Sequence, residues 1–498
     1  MKKKVNLLLI SAILCGSLHA QQEIPDASKF LSGPPDQTSV EYLKDYSKYV
    51  WGKTQRTTED GKEAAADMNY QLSTYINAFS PLVGLTISKS NTPNIYLLLD
   101  YIMTYGQKAL EAAQGDFSFS LRPYAKFKES SLDPAYDSKY SDITSYPSNY
   151  AFMGWLTALT LVEICPDKQN SILKRGYNYS PNSVISGLNW DSDAEAGRLL
   201  ACAMTALLHN HSNFNNMIKS ARKEYEEKTG ISNTIYTDDP TQPFFPNTHL
   251  PNAVEYLPAP PEDLSVAFAY DMNQHIVNSL KRNTSEGKTA IEDVDYSVDY
   301  LCKIYSPAFG KTISKSETPQ IYNLLSRVHD TGKPAWNAIK NFYKRKRPFV
   351  LLNEATAWQP GEAAGRNSYS YPSGHTTEGW LIAMVLSEIN SNNAEEIFAR
   401  SMQYGQGRVI TGYHWQSDID AGRILASTVY AHLHAVDDFM KQMQLAKQEY
   451  NGGTGVRSAI SEKANTRADI YTIDGVKVDG APTRSGIYIQ GNKKVAYK

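Results

Sequence analysis

Residues 371–389 read YPSGHTTEGWLIAMVLSEI, and residues 146–164 read YPSNYAFMGWLTALTLVEI. The pairing runs without a gap to residues 426 and 201 at an offset of 225, with 24 identities in 56 positions. A period that long marks two whole domains rather than a solenoid. Upstream the offset is 226: Ser80-Pro81 matches Ser306-Pro307, Thr92-Pro93 matches Thr318-Pro319, and Arg56 matches Arg282. Apolar residues recur at three- and four-residue spacing in 377–389 and 421–436, and alternating strand patterns are scarce before residue 450. The sequence predicts an all-α fold of two tandem helical domains, 21–245 and 246–450, parted near the Pro- and Asn-rich stretch 238–262.

The 498 residues carry 50 Lys and Arg against 52 Asp and Glu, a net charge of −2. That balance provides no broad basic field, so no nucleic-acid partner is expected. Lys2, Lys3 and Lys4 followed by the apolar run 5–18 and Ala20 read as an export signal over 1–20. About 14 apolar residues fall short of the ~20 that span a bilayer, so the expectation is an exported protein of the periplasm or cell surface, or a secreted one, with no membrane span. From Asn451 a Gly-rich linker leads into short alternating segments, a small β tail over 451–498. Its last stretch, GIYIQGNKKVAYK from Gly486, resembles the C-terminal sorting domains of type IX secretion. Cys165, Cys202 and Cys302 are too few for a disulfide framework and are expected as buried thiols, with a Cys165–Cys202 bridge as the alternative.

Three segments of the second half concentrate polar chemistry. In Lys340-x6-Arg347-Pro348, seven residues are almost two helical turns, so Lys340 and Arg347 would share one helix face. Pro348 favours an extended Arg347 and ends that helix. The competing reading is a solvated basic face, because Lys344, Arg345 and Lys346 crowd the same run. In Pro372-Ser373-Gly374-His375, Ser373 can cap the following helix and Gly374 permits close backbone approach. Free N–H groups at a helix start bind anions, which places His375 beside whatever is bound. In Arg408-x5-His414-x3-Asp418, His414 and Asp418 are i,i+4 on an expected helix and can therefore touch. A carboxylate on one imidazole nitrogen frees the other as a nucleophile. Together, three cations, a helix N-terminus and two histidines are what in-line attack on a phosphate needs. The motifs call for no metal ligands and no cofactor.

In this order the three motifs resemble the signature of the type-2 phosphatidic acid phosphatase superfamily, with Gly407 where the third motif usually has serine. Tyr343–Phe349, Ser370–Thr376 and Gly412–Asp418 resemble bacterial class A non-specific acid phosphatases more closely, from about Leu257 to about residue 450. The resemblance implies an acid phosphatase acting on small phosphomonoesters, with His414 as the nucleophile, Asp418 orienting it and His375 as general acid. Lys340, Arg347, Ser373, Gly374 and Arg408 would hold the phosphate, and vanadate would inhibit. Vanadium haloperoxidases share such a site and form a second enzyme reading; a non-catalytic binding protein is the reading from outside enzymology. In the first half His414, Arg408, His375 and Gly374 become Asn189, Ser183, Tyr150 and Asn149, while Lys340 falls on Gly115 or Gln114. Arg122, Ser148 and Asp193 persist. The expectation is a degenerate, inactive first domain. Class A members often form homo-oligomers, which implies an intrachain pseudo-dimer of the two copies and leaves a homo-oligomer as a further expectation.

Overall fold

The computed structural model describes residues 24–232, 239, 241–452 and four short strands between 470 and 497. The expected export signal lies outside the described residues, as does the linker after Gly452. Through Asn451 the described chain is one compact body without a strand, so the fold is all-α. From Gly452 on, a second unit holds an antiparallel sheet of Ile470–Thr472 (β1), Lys477–Val478 (β2), Gly486–Gln490 (β3) and Lys493–Tyr497 (β4), in the order β2-β1-β3-β4. Its register pairs Tyr488 with Val495 and Tyr471 with Ile489.

In the first half, Val40–Gln55 (α1), Asn149–Ile164 (α2), Asp191–Leu208 (α3) and Ser212–Thr229 (α4) frame the core. In the second, Val266–Ser279 (α5), Ala335–Tyr343 (α6), Gly374–Ile389 (α7), Ala394–Ile410 (α8), Gln416–His434 (α9) and Asp437–Tyr450 (α10) do so. Every residue from Tyr150 to Ile164 and from Thr376 to Ile389 is buried. Helices apolar all round belong at the centre, whereas a surface helix shows a single stripe. The spacing seen in 377–389 is therefore part of a wholly buried helix.

The two halves share these central helices. α2 packs on α9, α7 packs on α3, and α3 touches α9, so one hydrophobic core runs through both halves. Fully buried Trp155 on α2 donates its indole N–H to Ser427 Oγ on α9 at 3.3 Å. Tyr256 OH lies 2.8 Å from Thr428 Oγ1. At one end His209 and His434 stack with ring centroids 3.7 Å apart. Their Nε2 atoms lie 3.0 Å and 2.9 Å from Glu163 and Glu388. Arg222 on α4 then donates to the His434 carbonyl at 2.6 Å, and Lys447 on α10 to the His209 carbonyl at 3.1 Å. Each cation thus crosses to a carbonyl of the other half, and Lys447 Nζ also lies 2.9 Å from Glu388, pairing a carboxylate that burial would otherwise penalise. Cys165, Cys202 and Cys302 are buried free thiols.

Candidate active site

The site gathers at the N-terminus of α7. Ser373 caps that helix, its Oγ accepting the Thr376 N–H at 3.3 Å, and its own N–H donates to the Asp418 carbonyl at 2.9 Å. Gly374 opens the first turn over the Trp336 indole, and a Cβ there would lie 2.8 Å from indole Cε2. Glycine is required at this position by the close approach of the indole.

Lys340 and Arg347 converge on the site, but from different elements. α6 ends at Lys344, which adopts the left-handed conformation with φ 51°, and residues 344–347 run on outside any helix. Arg347 is extended at φ −69°, ψ 153° and caps the short helix Pro348–Leu351. The expectation of one shared helix face is therefore corrected. Pro348 disfavours helical geometry at the residue before it and starts a new helix at its own first position. Lys340 Nζ donates to the Tyr369 and Ser370 carbonyls at 2.7 Å and 3.3 Å. Arg347 Nη1 donates to the Tyr413 carbonyl at 2.9 Å and to His414 Nε2 at 3.0 Å, and its Nε and Nη2 hold Ser368 Oγ. Arg408, near the end of α8, is buried, and its Nε and Nη1 have no hydrogen-bond partner.

His414 does not share a helix with Asp418 either. It sits in the turn that precedes α9, with Gly412 at φ 84°, and α9 begins at Gln416. Asp418 is the third helical residue and closes a capping box by accepting the Trp415 N–H at 2.9 Å. The pair still touches: His414 Nδ1 lies 3.2 Å from Asp418 Oδ2. An arginine can only donate, so Nε2 presents its lone pair to Arg347 and Nδ1 carries the proton toward Asp418. His375 Nε2 donates to the Val294 carbonyl at 2.8 Å, and its ring lies 4.9 Å from the Tyr296 ring.

The electrostatics are those of a cationic pocket. Burial, with Arg347 and Arg408 nearby, holds the Lys340 ammonium well below its usual range. Burial and Arg408 push Arg347 down to about 10. Burial and then Arg408 depress His375, while burial, Arg347 and Lys340 depress His414. Each of these groups resists further positive charge, and each would be relieved by an anion.

The positions offset in the first half are laid out similarly and are filled. Tyr150 OH donates to the Met68 carbonyl at 2.9 Å, as His375 does to Val294. Arg122 spends its guanidinium on the carbonyls of Leu188, Tyr140 and Thr144. Asn189 bonds Ser148 Oγ at 3.0 Å and the Ser145 carbonyl at 2.7 Å. The space left beside Asp67, Tyr150 and Ser183 does not admit a water molecule.

Sequence reasoning missed Arg345, Asp271 and Trp336. Arg345 Nη1 lies 2.6 Å from Asp418 Oδ1, and its Nη2 lies 2.6 Å from Asp271 Oδ2 on α5. The available signal was the spacing of Arg345 and Arg347, since residues two apart in an extended segment point the same way.

Known proteins fall on the same half. The model of the PAP2 superfamily matches residues 333–439. A non-specific acid phosphatase of Providencia stuartii is 40% identical over 215 residues, covering 43% of this chain and 87% of the relative. One from Salmonella typhimurium is 38% identical over 218 residues, 43% of this chain and 87% of the relative. An acid phosphatase of Zymomonas mobilis is 33% identical over 194 residues, 39% of this chain and 74% of the relative. Through its second half, the chain belongs to the non-specific acid phosphatases of the PAP2 superfamily.

Proposed function

We propose that this acid phosphatase hydrolyses small phosphate monoesters without a metal, through a phosphohistidine on His414. The observation that carries the reading is the state of that ring: Nδ1 is paired with Asp418, and Nε2 faces the Arg347 guanidinium. In the first step Nε2 attacks phosphorus, the ester P–O bond breaks, and His375 gives a proton to the leaving oxygen. In the second, water attacks phosphorus, the P–N bond breaks, and His375 takes the proton of the water. Lys340, Arg347, Arg408 and the N–H groups after Ser373 hold the equatorial oxygens, on which charge is greatest in the transition state. A pocket lined by three cations favours a phosphate oxyanion, and by the same charge repels a metal ion. Vanadate, which takes the same trigonal-bipyramidal geometry, is expected to inhibit.

The test is hydrolysis of p-nitrophenyl phosphate with EDTA present, across pH 4–8. His414→Ala should abolish turnover. His375→Ala should lose about 10²–10⁴-fold and leave a small residual turnover, best on activated esters. Normal turnover by His414→Ala would sink the nucleophile assignment.

The first half, 21–245, is in this reading a degenerate copy from a tandem duplication, and the body is an intrachain pseudo-dimer in which that copy supports the working one. The filled first-half site and the shared core support that role over ligand binding. Expression of residues 246–450 alone tests it: a soluble, fully active fragment would refute a supporting role. Export to the periplasm or cell surface rests on the leader and tail patterns, and among the described residues no helix is long and apolar enough to cross a membrane. Cell fractionation of the full chain, with and without residues 1–20, tests the export step.

A further inference from the structure

The run Lys344–Arg347 holds four cations, of which the scheme above uses only Arg347. Lys344 and Lys346 are exposed, whereas the Arg345 side chain is 9% exposed. Its guanidinium bridges two carboxylates with no exposed surface, Asp418 and Asp271. Ser417 Oγ accepts from Arg345 at 2.8 Å and donates to Asp271 at 2.6 Å, closing the cluster. The Trp415 ring lies 5.5 Å from the same guanidinium. Asp418 faces Arg345 from this extended segment, His414 from the preceding turn, Lys340 from α6, Arg347 from its cap and the Tyr371 phenol.

The first half repeats the frame without the arginine. Ser192 donates to Asp45 at 2.8 Å and 2.6 Å, as Ser417 does to Asp271. Trp190 N–H bonds Asp193 at 2.8 Å, as Trp415 does Asp418. Ser145 N–H bonds the Ser120 carbonyl at 3.0 Å, as Ser370 does the Arg345 carbonyl at 2.9 Å, which places Ser120 where Arg345 stands. There Asp193 Oδ1, the atom matching the one that takes Arg345, is buried without a hydrogen-bond partner. Burial pushes that carboxyl up to about 6. The half that lacks the histidine in this frame also lacks the arginine, while both carboxylates, the serine and the tryptophan remain.

We propose that Arg345 is a positioning residue of the reaction: it holds the Asp418 carboxylate aimed at His414 Nδ1, so that Nε2 retains the lone pair that attacks phosphorus. The inference rests on the His414 reading. Two buried carboxylates bridged by one guanidinium are left facing each other without their common cation when it is removed, which burial penalises. Loss of Arg345 leaves Asp418 Oδ1 buried without its donor, as Asp193 Oδ1 is in the first half, and a carboxyl so placed stabilises less well an imidazole that gains positive charge as it attacks.

The test compares kcat and KM for p-nitrophenyl phosphate at pH 4–8 in wild type, Arg345→Ser and Arg345→Lys, with thermal melts of each. Because removing a neighbouring cation favours the neutral carboxyl, Arg345→Ser should lose severalfold more kcat at pH 5 than at pH 7, with KM changed less than about threefold. Arg345→Lys should restore the shape of the profile. Should Arg345→Ser fail to fold, Arg345→Met combined with Asp271→Asn, which removes the carboxylate left unpaired, gives the same readout. A uniform loss with the wild-type profile shape, or no loss, overturns the inference. If His414→Ala keeps its activity, the nucleophile reading fails instead; an inactive His414→Ala beside an unshifted Arg345→Ser profile defeats only the role of Arg345.

Discussion

Truncating a tryptophan in the half without histidines should weaken the half that has them. Trp155 is fully buried on α2 and donates to Ser427 on α9. Replacing a buried Trp by Ala costs about 3–5 kcal/mol, the transfer term plus the cavity. The lost hydrogen bond adds little. Ser427 still donates to the Ile424 carbonyl at 2.7 Å, so no buried donor is orphaned. We expect Trp155→Ala to cost about 4 kcal/mol. Domains of 150–250 residues shift by roughly 2–4 °C per kcal/mol, and a larger cooperative body by less, so Tm should fall by about 4–8 °C. The assay is calorimetry alongside residual phosphatase activity in aliquots heated to each temperature. Wild type and variant should each show one transition, with heat absorption and loss of activity moving together, and kcat at 25 °C should be nearly unchanged. A new low-temperature transition that leaves the inactivation midpoint unmoved would refute the shared-core argument, because each half would then melt alone.

Other outcomes follow from the site. His375 must be protonated to act as an acid, and burial with Arg408 depresses it, so protonation in the free enzyme is complete only well on the acid side. Activity on alkyl phosphates should fall as pH rises through that range, and His375→Ala should flatten this limb for p-nitrophenyl phosphate; a limb of unchanged slope in the variant would remove His375 from the role. Gly374→Ala places a Cβ 2.8 Å from the Trp336 indole, and overpacking of about 1–3 kcal/mol should lower kcat/KM by about 5- to 150-fold; a wild-type value would show that the indole yields freely. Installing Tyr150→His and Asn189→His in a His414→Ala background should restore no turnover, because Ser183 stands in place of Arg408 and Arg122 is spent on three carbonyls. Recovered hydrolysis in that triple variant would show the first-half site to be open.

Local pattern carried much of this fold and less of the site's wiring. The helical class was readable because periodicity is local, and the repeat supplied register for both halves. Full burial of α2 and α7 was not readable, since a 3–4 spacing looks the same whether one face or every face is covered. The three motifs named the residues that meet at α7, but they mis-stated the elements that bring them. One left-handed residue, Lys344, and one turn through Gly412 convert two expected helical pairings into contacts across breaks in helix. Arg345 passed for a solvated charge because its partner Asp271 lies 74 residues away on α5. The two-residue spacing to Arg347 hints at an inward Arg345, but a partner so far along the chain is not named by the local sequence.

The crossed cations at the stacked histidines bear on how the two halves can change. An interface between identical subunits must complement itself, so each substitution appears on both sides at once. Within one chain that symmetry constraint is lifted. Position 222 is Arg where its counterpart 447 is Lys, and Asn215, which bonds His209 at 3.0 Å, has Met440 opposite it. Under the duplication reading, either half can acquire a contact tailored to a partner that is permanently different from itself. The joint is then free to become a lock and key in place of a handshake, and losing a catalytic residue on one side leaves the other side's grip intact.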